Sequence, residues 1–281
     1  MKMFNGALTN NEIKPGEDEF INESDGLIYC KKCGRSKQMK VSIGGEEHIV
    51  FHLCECELAE RDARILEEQK REEQRRADSI RRFGLQGDEL WNYRFINDCG
   101  YVKKMYMAKN YVEHFDELKM TGSGLLLWGP TGSGKTFFAG CIANALIDQC
   151  KTVYMTNFSK VINKLTGAYT EDKNLIIDEM VKSSLLIIDD LGIERNTEYA
   201  TEQVYNVIDA RYRSGKPMII TTNIGIDDLR NPKDLAHKRI YDRILEKCVP
   251  VLIDGVNIRE IKMKENQKRI EAAIVNNKEM I

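Results

Sequence analysis

An α/β fold with a parallel sheet and helices on both faces, plus a small N-terminal zinc-binding module, is predicted by three features of this 281-residue chain. Gly129, Pro130, Thr131, Gly132, Ser133, Gly134, Lys135 and Thr136 fit the pattern G-x-x-x-x-G-K-S/T at every position. An apolar run at 125–128 precedes them and a helix-forming stretch at 137–149 follows. Strand, loop and helix are the context this phosphate-binding motif requires. Four apolar residues at 185–188 then deliver Asp189 and Asp190. A buried parallel strand ending in carboxylates belongs at the same edge of such a sheet. The third feature is Cys30 and Cys33 followed, after twenty intervening residues, by Cys54 and Cys56.

Each residue type in the loop has a physical reason. Glycines let the backbone wrap closely, so that successive N–H groups point at phosphate oxygens. The helix start adds its partial positive charge. Lys135 reaches the terminal phosphates, and the Thr136 hydroxyl is a magnesium ligand. Asp189 would hold magnesium, through water. Asp190 would polarise the attacking water, a task more often given to Glu. Further strands are expected at 152–156 and 217–222, and a helix at 101–118 after Tyr93, Arg94 and Phe95. Asn223, just past the strand at 217–222, can orient that water between the acid and the γ-phosphate.

The chain carries 42 basic and 44 acidic residues, a net charge of −2. That excludes a globally basic nucleic-acid coat and leaves room for a local basic channel. A hydrophobic content of 42% supports a sizeable core. No run of eighteen apolar residues suggests a membrane span. Residues 1–11 lack a signal-peptide apolar stretch, so a cytoplasmic protein is expected. Its eight cysteines are then thiols or metal ligands rather than disulfides.

Two close cysteine pairs at this separation read as a zinc site, each pair on a tight turn offering two thiolates to one tetrahedral ion. Four thiolates also suit iron. Gly34 follows the first pair, and 40–43 with 48–52 read as a hairpin around Gly44 and Gly45. His48 and His52 are substitute ligands or, on the plainer reading, solvent-facing strand residues. So small a module has little core, and metal would supply much of its folding energy. Cys99, Cys141, Cys150 and Cys248 lack such spacing and read as buried small apolar residues.

Residues 57–82 hold eight acids and eight bases. Opposite charges recur at helical spacing, as in Glu67 with Arg71 and Glu72 with Arg76. Apolar positions are few, chiefly Leu58, Ile65, Leu66 and Ile80, which argues against a coiled coil. A solvated helical linker over 57–87 is expected, joining a zinc-binding module at 1–56 to an ATPase domain at 88–281.

Taken in order, Gly129 to Thr136, Leu185 to Gly192 with its Asp189-Asp190-Leu191-Gly192, Ile219 to Asn223, and Tyr241-Asp242-Arg243-Ile244 resemble the DnaC/DnaI-like branch of the AAA+ ATPases, which includes IstB-type transposition helpers. The resemblance spans roughly residues 88–262. It implies a parallel sheet of order 5-1-4-3-2, and ATP, Mg2+ and Zn2+ as cofactors. It implies an ATPase that binds the hexameric replicative helicase through its N-terminal region and loads it onto single-stranded DNA, self-associating into a ring or spiral. The alternative within the branch is a transposition helper.

Carried over by position, Lys135, Thr136, Asp189 and Asp190 serve nucleotide and magnesium, and Asn223 senses the γ-phosphate. Of Arg239 and Arg243, the resemblance favours Arg243 as a finger acting on a neighbouring subunit. Arg259 is implied as the second sensor. Single-stranded DNA contact is implied for the helix near 157–169, with Lys160, Lys164 and Tyr169.

Overall fold

The computed structural model describes residues 14–167, 170–192 and 197–275. The chain divides into two compact units, with the boundary between Glu72 and Glu73.

In the first unit, β1 (Glu19–Ile21) pairs antiparallel with β2 (Ile28–Cys30). A second hairpin joins β3 (Gln38–Ile43) and β4 (Glu46–Phe51), turning at Gly44 and Gly45 as expected. Helix α1 (Glu55–Gly84) then begins and runs on past the unit boundary. The Glu57 carboxylate accepts from the Cys54 N–H at 3.0 Å, capping the helix start. Lys37, only 16% exposed, ion-pairs with Glu57 at 2.7 Å and with Glu19. One largely desolvated ammonium thus ties β1, the start of β3 and the start of α1.

The second unit opens with the end of α1 and two 3-10 turns, Asp88–Asn92 and Phe95–Asn97. There follow α2 (Met105–Glu113), α3 (Phe115–Thr121), β5 (Gly124–Trp128), α4 (Lys135–Asp148), β6 (Val153–Asn157), α5 (Phe158–Thr166), α6 (Thr170–Lys182) and β7 (Leu185–Leu191). The remaining elements are α7 (Glu198–Arg213), β8 (Met218–Thr222), α8 (Ile226–Arg230), α9 (Leu235–Lys247), β9 (Cys248–Leu252) and α10 (Ile258–Val275). The sheet is parallel throughout, in the order β6-β7-β8-β5-β9, which is the expected 5-1-4-3-2.

Period-two alternation sends side chains to two cores. Leu125, Leu127, Leu185, Ile187 and Ile219 pack on the face that also buries Phe138, Ile142 and Leu146 of α4. Leu126, Leu186, Ile188 and Ile220 pack on the other, with Val161, Val207 and Ile244 of α5, α7 and α9. Truncating a fully buried leucine here, such as Leu126, would cost about 2–5 kcal/mol.

Two features differ from expectation, and a third was not foreseen. The helix foreseen at 101–118 is two helices, broken at His114, whose ψ of 17° leaves the helical region. The connector is not solvated to its end: Ala77 and Arg81 are 2% exposed, and Leu85 joins the core of the second unit. The fifth strand carries Pro250, tolerated because β9 is an edge strand paired only with β5. Among the described residues, no helix is long and apolar enough to cross a membrane.

Candidate functional site

The loop between β5 and α4 folds over the end of the sheet and forms the floor of a cleft of 670 Å³. Gly134 caps α4 with φ of +96°, and a Cβ there would lie 2.6 Å from Val102, so only glycine suits the position. Lys135 follows, 5% exposed. Its Nζ donates to the carbonyls of Gly129 at 2.9 Å and Pro130 at 2.8 Å, and to Asn223 Oδ1 at 2.6 Å. Burial lowers its pKa, opposed by the charges of Asp190 and Asp189.

The Thr136 hydroxyl donates toward both carboxylate oxygens of Asp189, each at 3.0 Å. Thr221 Oγ1 donates to the same carboxylate at 2.6 Å and accepts from the Asp190 N–H at 2.9 Å. Burial pushes the Asp189 carboxyl above its ordinary value, against the Thr221 bond. Sequence reading missed Thr221; two polar residues ending an otherwise apolar strand are the signal that marks it.

Successive residues of a regular strand face opposite sides of the sheet. Here the pairing of β7 with β8 shifts register between Ile188 and Leu191, and Asp190 takes φ of +58°. This bulge re-aims the strand end, and Asp189 and Asp190 both line the cleft. A left-handed aspartate in a register shift is the kind of strained backbone found at working sites.

The cleft also gathers Thr131, Gly132, Asn223 and Arg259, and adds Lys262 one helical turn beyond Arg259 on α10. Its lining also includes Leu90, Tyr93 and Val102. Ser133 Oγ is buried and has no protein partner among the described residues. A glycine-rich cradle at a helix start, a buried ammonium, a hydroxyl beside a carboxylate and one unpartnered buried hydroxyl together suit a magnesium-bound polyphosphate.

Arg243 does not line this cleft. Its Nε donates to Asp209 at 2.9 Å, its Nη2 to the Tyr205 hydroxyl at 3.1 Å, and its guanidinium lies 4.9 Å over the Tyr205 ring. Arg239, one turn earlier, is exposed. Lys160 borders the cleft and donates to the Gln86 carbonyl. Lys164 donates to the Tyr154 hydroxyl at 3.2 Å. Tyr169 lies outside the described residues.

In the first unit, the sulfurs of Cys30, Cys33, Cys54 and Cys56 all lie within 4.8 Å of one another. Cys56 Sγ stands 3.5 Å from Cys30 Sγ and 3.4 Å from Cys54 Sγ. Tetrahedral zinc with arms of about 2.3 Å separates its sulfurs by about 3.8 Å, so the cluster fits that ion. Neither His48 nor His52 belongs to the cluster. The second pair does not sit on a tight turn: Cys54 immediately precedes α1 and Cys56 lies in its first turn. The Arg35 N–H lowers the Cys33 thiol pKa to about 6. Of the other four cysteines, Cys141 and Cys248 are buried as expected, Cys150 is partly exposed, and Cys99 is exposed.

Residues 35–267 match the family of IstB-like ATP binding proteins. The chain belongs to that family. Among its relatives is the replicative helicase loader DnaI of Bacillus subtilis, 24% identical over 86% of this chain and 81% of its own length. An ATP-binding protein of an insertion sequence in Mycobacterium tuberculosis is 27% identical over 50% of this chain. The helicase loader DnaC of Escherichia coli is 24% identical over 54% of it. The chain spans 57% of the insertion-sequence protein and 61% of DnaC. A crystal structure of DnaI superposes with a TM-score of 0.50 at 22% identity, covering 62% of this chain and 94% of that one. A DNA replication initiation factor superposes with a TM-score of 0.51 at 17% identity, covering 64% of this chain and 55% of that one. These likenesses show a shared α/β fold with a parallel sheet flanked by helices.

Proposed function

We propose that this protein is an ATPase that binds the hexameric replicative helicase and loads it onto single-stranded DNA. The observation that carries the reading is the extent of the likeness to DnaI. It covers 86% of the chain, more than the second unit comprises, so it reaches into the unit that holds the four thiols.

In the chemistry we propose, the loop from Gly129 to Thr136 binds the phosphates and Lys135 balances their charge. Thr136 and Asp189 would hold Mg2+, which neutralises charge building on the transferred phosphoryl group. Asp190 accepts a proton from the attacking water. Asn223 bonds Lys135 in this structure, and we assign it to orient that water. Arg259 supplies a further positive charge from α10. Arg243 is proposed to act on a neighbouring subunit's nucleotide, which would require it to leave Asp209. The four thiolates hold zinc, which folds the first unit. An N-terminal module of residues 1–56 grips the helicase; the linker and ATPase domain follow as 57–87 and 88–281. Self-association accompanies helicase binding.

The direct test is a loading assay on circular single-stranded DNA coated with binding protein, using the replicative helicase from the same genome. ATP-dependent unwinding of an annealed strand only when this protein is present supports the loader. A second reading, a transposition helper, is favoured by the likeness to the insertion-sequence protein. Stimulation of a transposase with no effect on the helicase would select it.

A further inference from the structure

We infer that Asn144, in the helix following the phosphate loop, is a positioning residue that holds one wall of the nucleotide cleft. The inference rests on the nucleotide-binding reading above. Asn144 is 1% exposed in the middle of α4, where a polar side chain must be bonded to be tolerated. Its Nδ2 donates to the carbonyls of Leu90 at 2.8 Å, Tyr93 at 3.0 Å and Gly140 of its own helix at 3.0 Å. Its Oδ1 accepts from Arg81 Nε at 3.0 Å. Arg81 is neutralised by Asp78 at 2.7 Å and by Asp148, one turn beyond Asn144. Asp148 also pairs with Arg94 at 2.9 Å. One face of α4 therefore grips the chain on both sides of the turn Asp88–Asn92.

Leu90 and Tyr93 line the cleft together with Lys135 and Thr136. Leu90 lies in, and Tyr93 directly follows, a short 3-10 turn whose N-terminal end has no side-chain cap. Asn144 bonds the Tyr93 carbonyl and gives the Leu90 carbonyl a second donor beside the Tyr93 N–H at 3.2 Å, and an apolar residue there would remove both bonds. The Tyr93 ring meets Phe137 edge-on at 5.5 Å, and Phe137 follows Thr136 directly. A Cβ on Gly140 would stand 2.7 Å from the Tyr93 Cβ, so the wall lies close against α4. A side chain serving only to seat the buried arginine needs an acceptor. The donor half of Asn144 goes to the segment that borders the cleft.

The test substitutes Asn144→Asp. That change keeps the volume and the acceptor for Arg81, and turns a carboxylate oxygen toward the two carbonyls. Affinity for mant-ADP is measured at a temperature where circular dichroism shows variant and wild type fully folded. Losing two buried donor bonds predicts affinity weakened about tenfold; affinity within about twofold of wild type overturns the inference. A purely structural role would lower Tm and leave the affinity of folded molecules unchanged. If the variant does not fold, hydrogen exchange on the wild type carries the test. Saturating ADP must slow exchange of the amides at 90–94, and unchanged exchange there overturns the inference. Lys135→Ala separates the two readings. Loss of binding in Lys135→Ala with wild-type binding in Asn144→Asp sinks only the role of Asn144. No binding by the wild-type protein sinks the nucleotide reading beneath it.

Discussion

The Lys135 ammonium and the Asn223 carboxamide oxygen meet at 2.6 Å, linking the loop after β5 to the residue that follows β8. The bond spans neighbouring strands of the sheet, because β5 pairs directly with β8. In the proposed chemistry, a phosphate bound to Lys135 would be sensed at Asn223 without any intermediary. Lys135→Ala removes both the charge and this link. Turnover should fall roughly 100-fold or more, with nucleotide affinity reduced as well. Steady-state phosphate release and mant-ADP titration measure the two, and unchanged turnover would place the site elsewhere.

Asp190 should separate binding from hydrolysis. Asn tolerates a left-handed backbone as Asp does, so Asp190→Asn keeps the bulge at φ of +58°. Losing the base alone should lower turnover by about 100-fold or more while nucleotide affinity changes little. Equal loss of affinity and turnover would show that Asp190 shapes the pocket rather than acting on water.

Cys33→Ser should remove bound metal from the first unit and leave nucleotide binding in place, because the second unit has its own two cores. Metal content by inductively coupled plasma mass spectrometry and mant-ADP affinity form the paired measurement. Loss of both together would contradict separate folding.

The same cluster predicts a pH dependence. Only thiolates bind the ion, and the Cys33 thiol has its pKa lowered to about 6. Above that pH Cys33 yields no proton on binding, whereas below it one more proton must be displaced. Apparent metal affinity should therefore fall more steeply with acidification below about pH 6. A competition titration with a chromophoric chelator gives the slope, and a constant slope from pH 5 to 8 would contradict the assignment.

Gly84, the last residue of α1, lies against the edge of the sheet. A Cβ there would stand 1.9 Å from the Val153 carbonyl oxygen. Gly84→Val should destabilise the second unit by about 1–3 kcal/mol or more, since neither backbone can yield cheaply. Thermal unfolding followed by circular dichroism measures it. An unchanged Tm would mean that the end of α1 is not seated on β6.

The sheet and its cleft were legible because their signals are local. The loop motif sits between a run of apolar residues and a helix, and Asp189 ends an apolar strand. The connector misleads because its charge density is real over most of its length, yet Arg81 is used once, in a buried network with Asn144 and Asp148. Nothing in the sequence tells a buried arginine from its solvated neighbours, because the partners that bury it, Asn144 and Asp148, lie more than sixty residues away. Residues 248–252 lack a strand signal for a related reason: Pro250 is acceptable only at an edge, and edge position is a tertiary fact. The bulge at Asp190 escapes sequence reading because it arises from pairing between β7 and β8.

Native mass spectrometry of this protein mixed with the replicative helicase from the same genome, with and without ATP, tests the central claim most directly. A stoichiometric complex, carrying one zinc for each copy of this protein, is the predicted result. Two separate species under both conditions would contradict the loader.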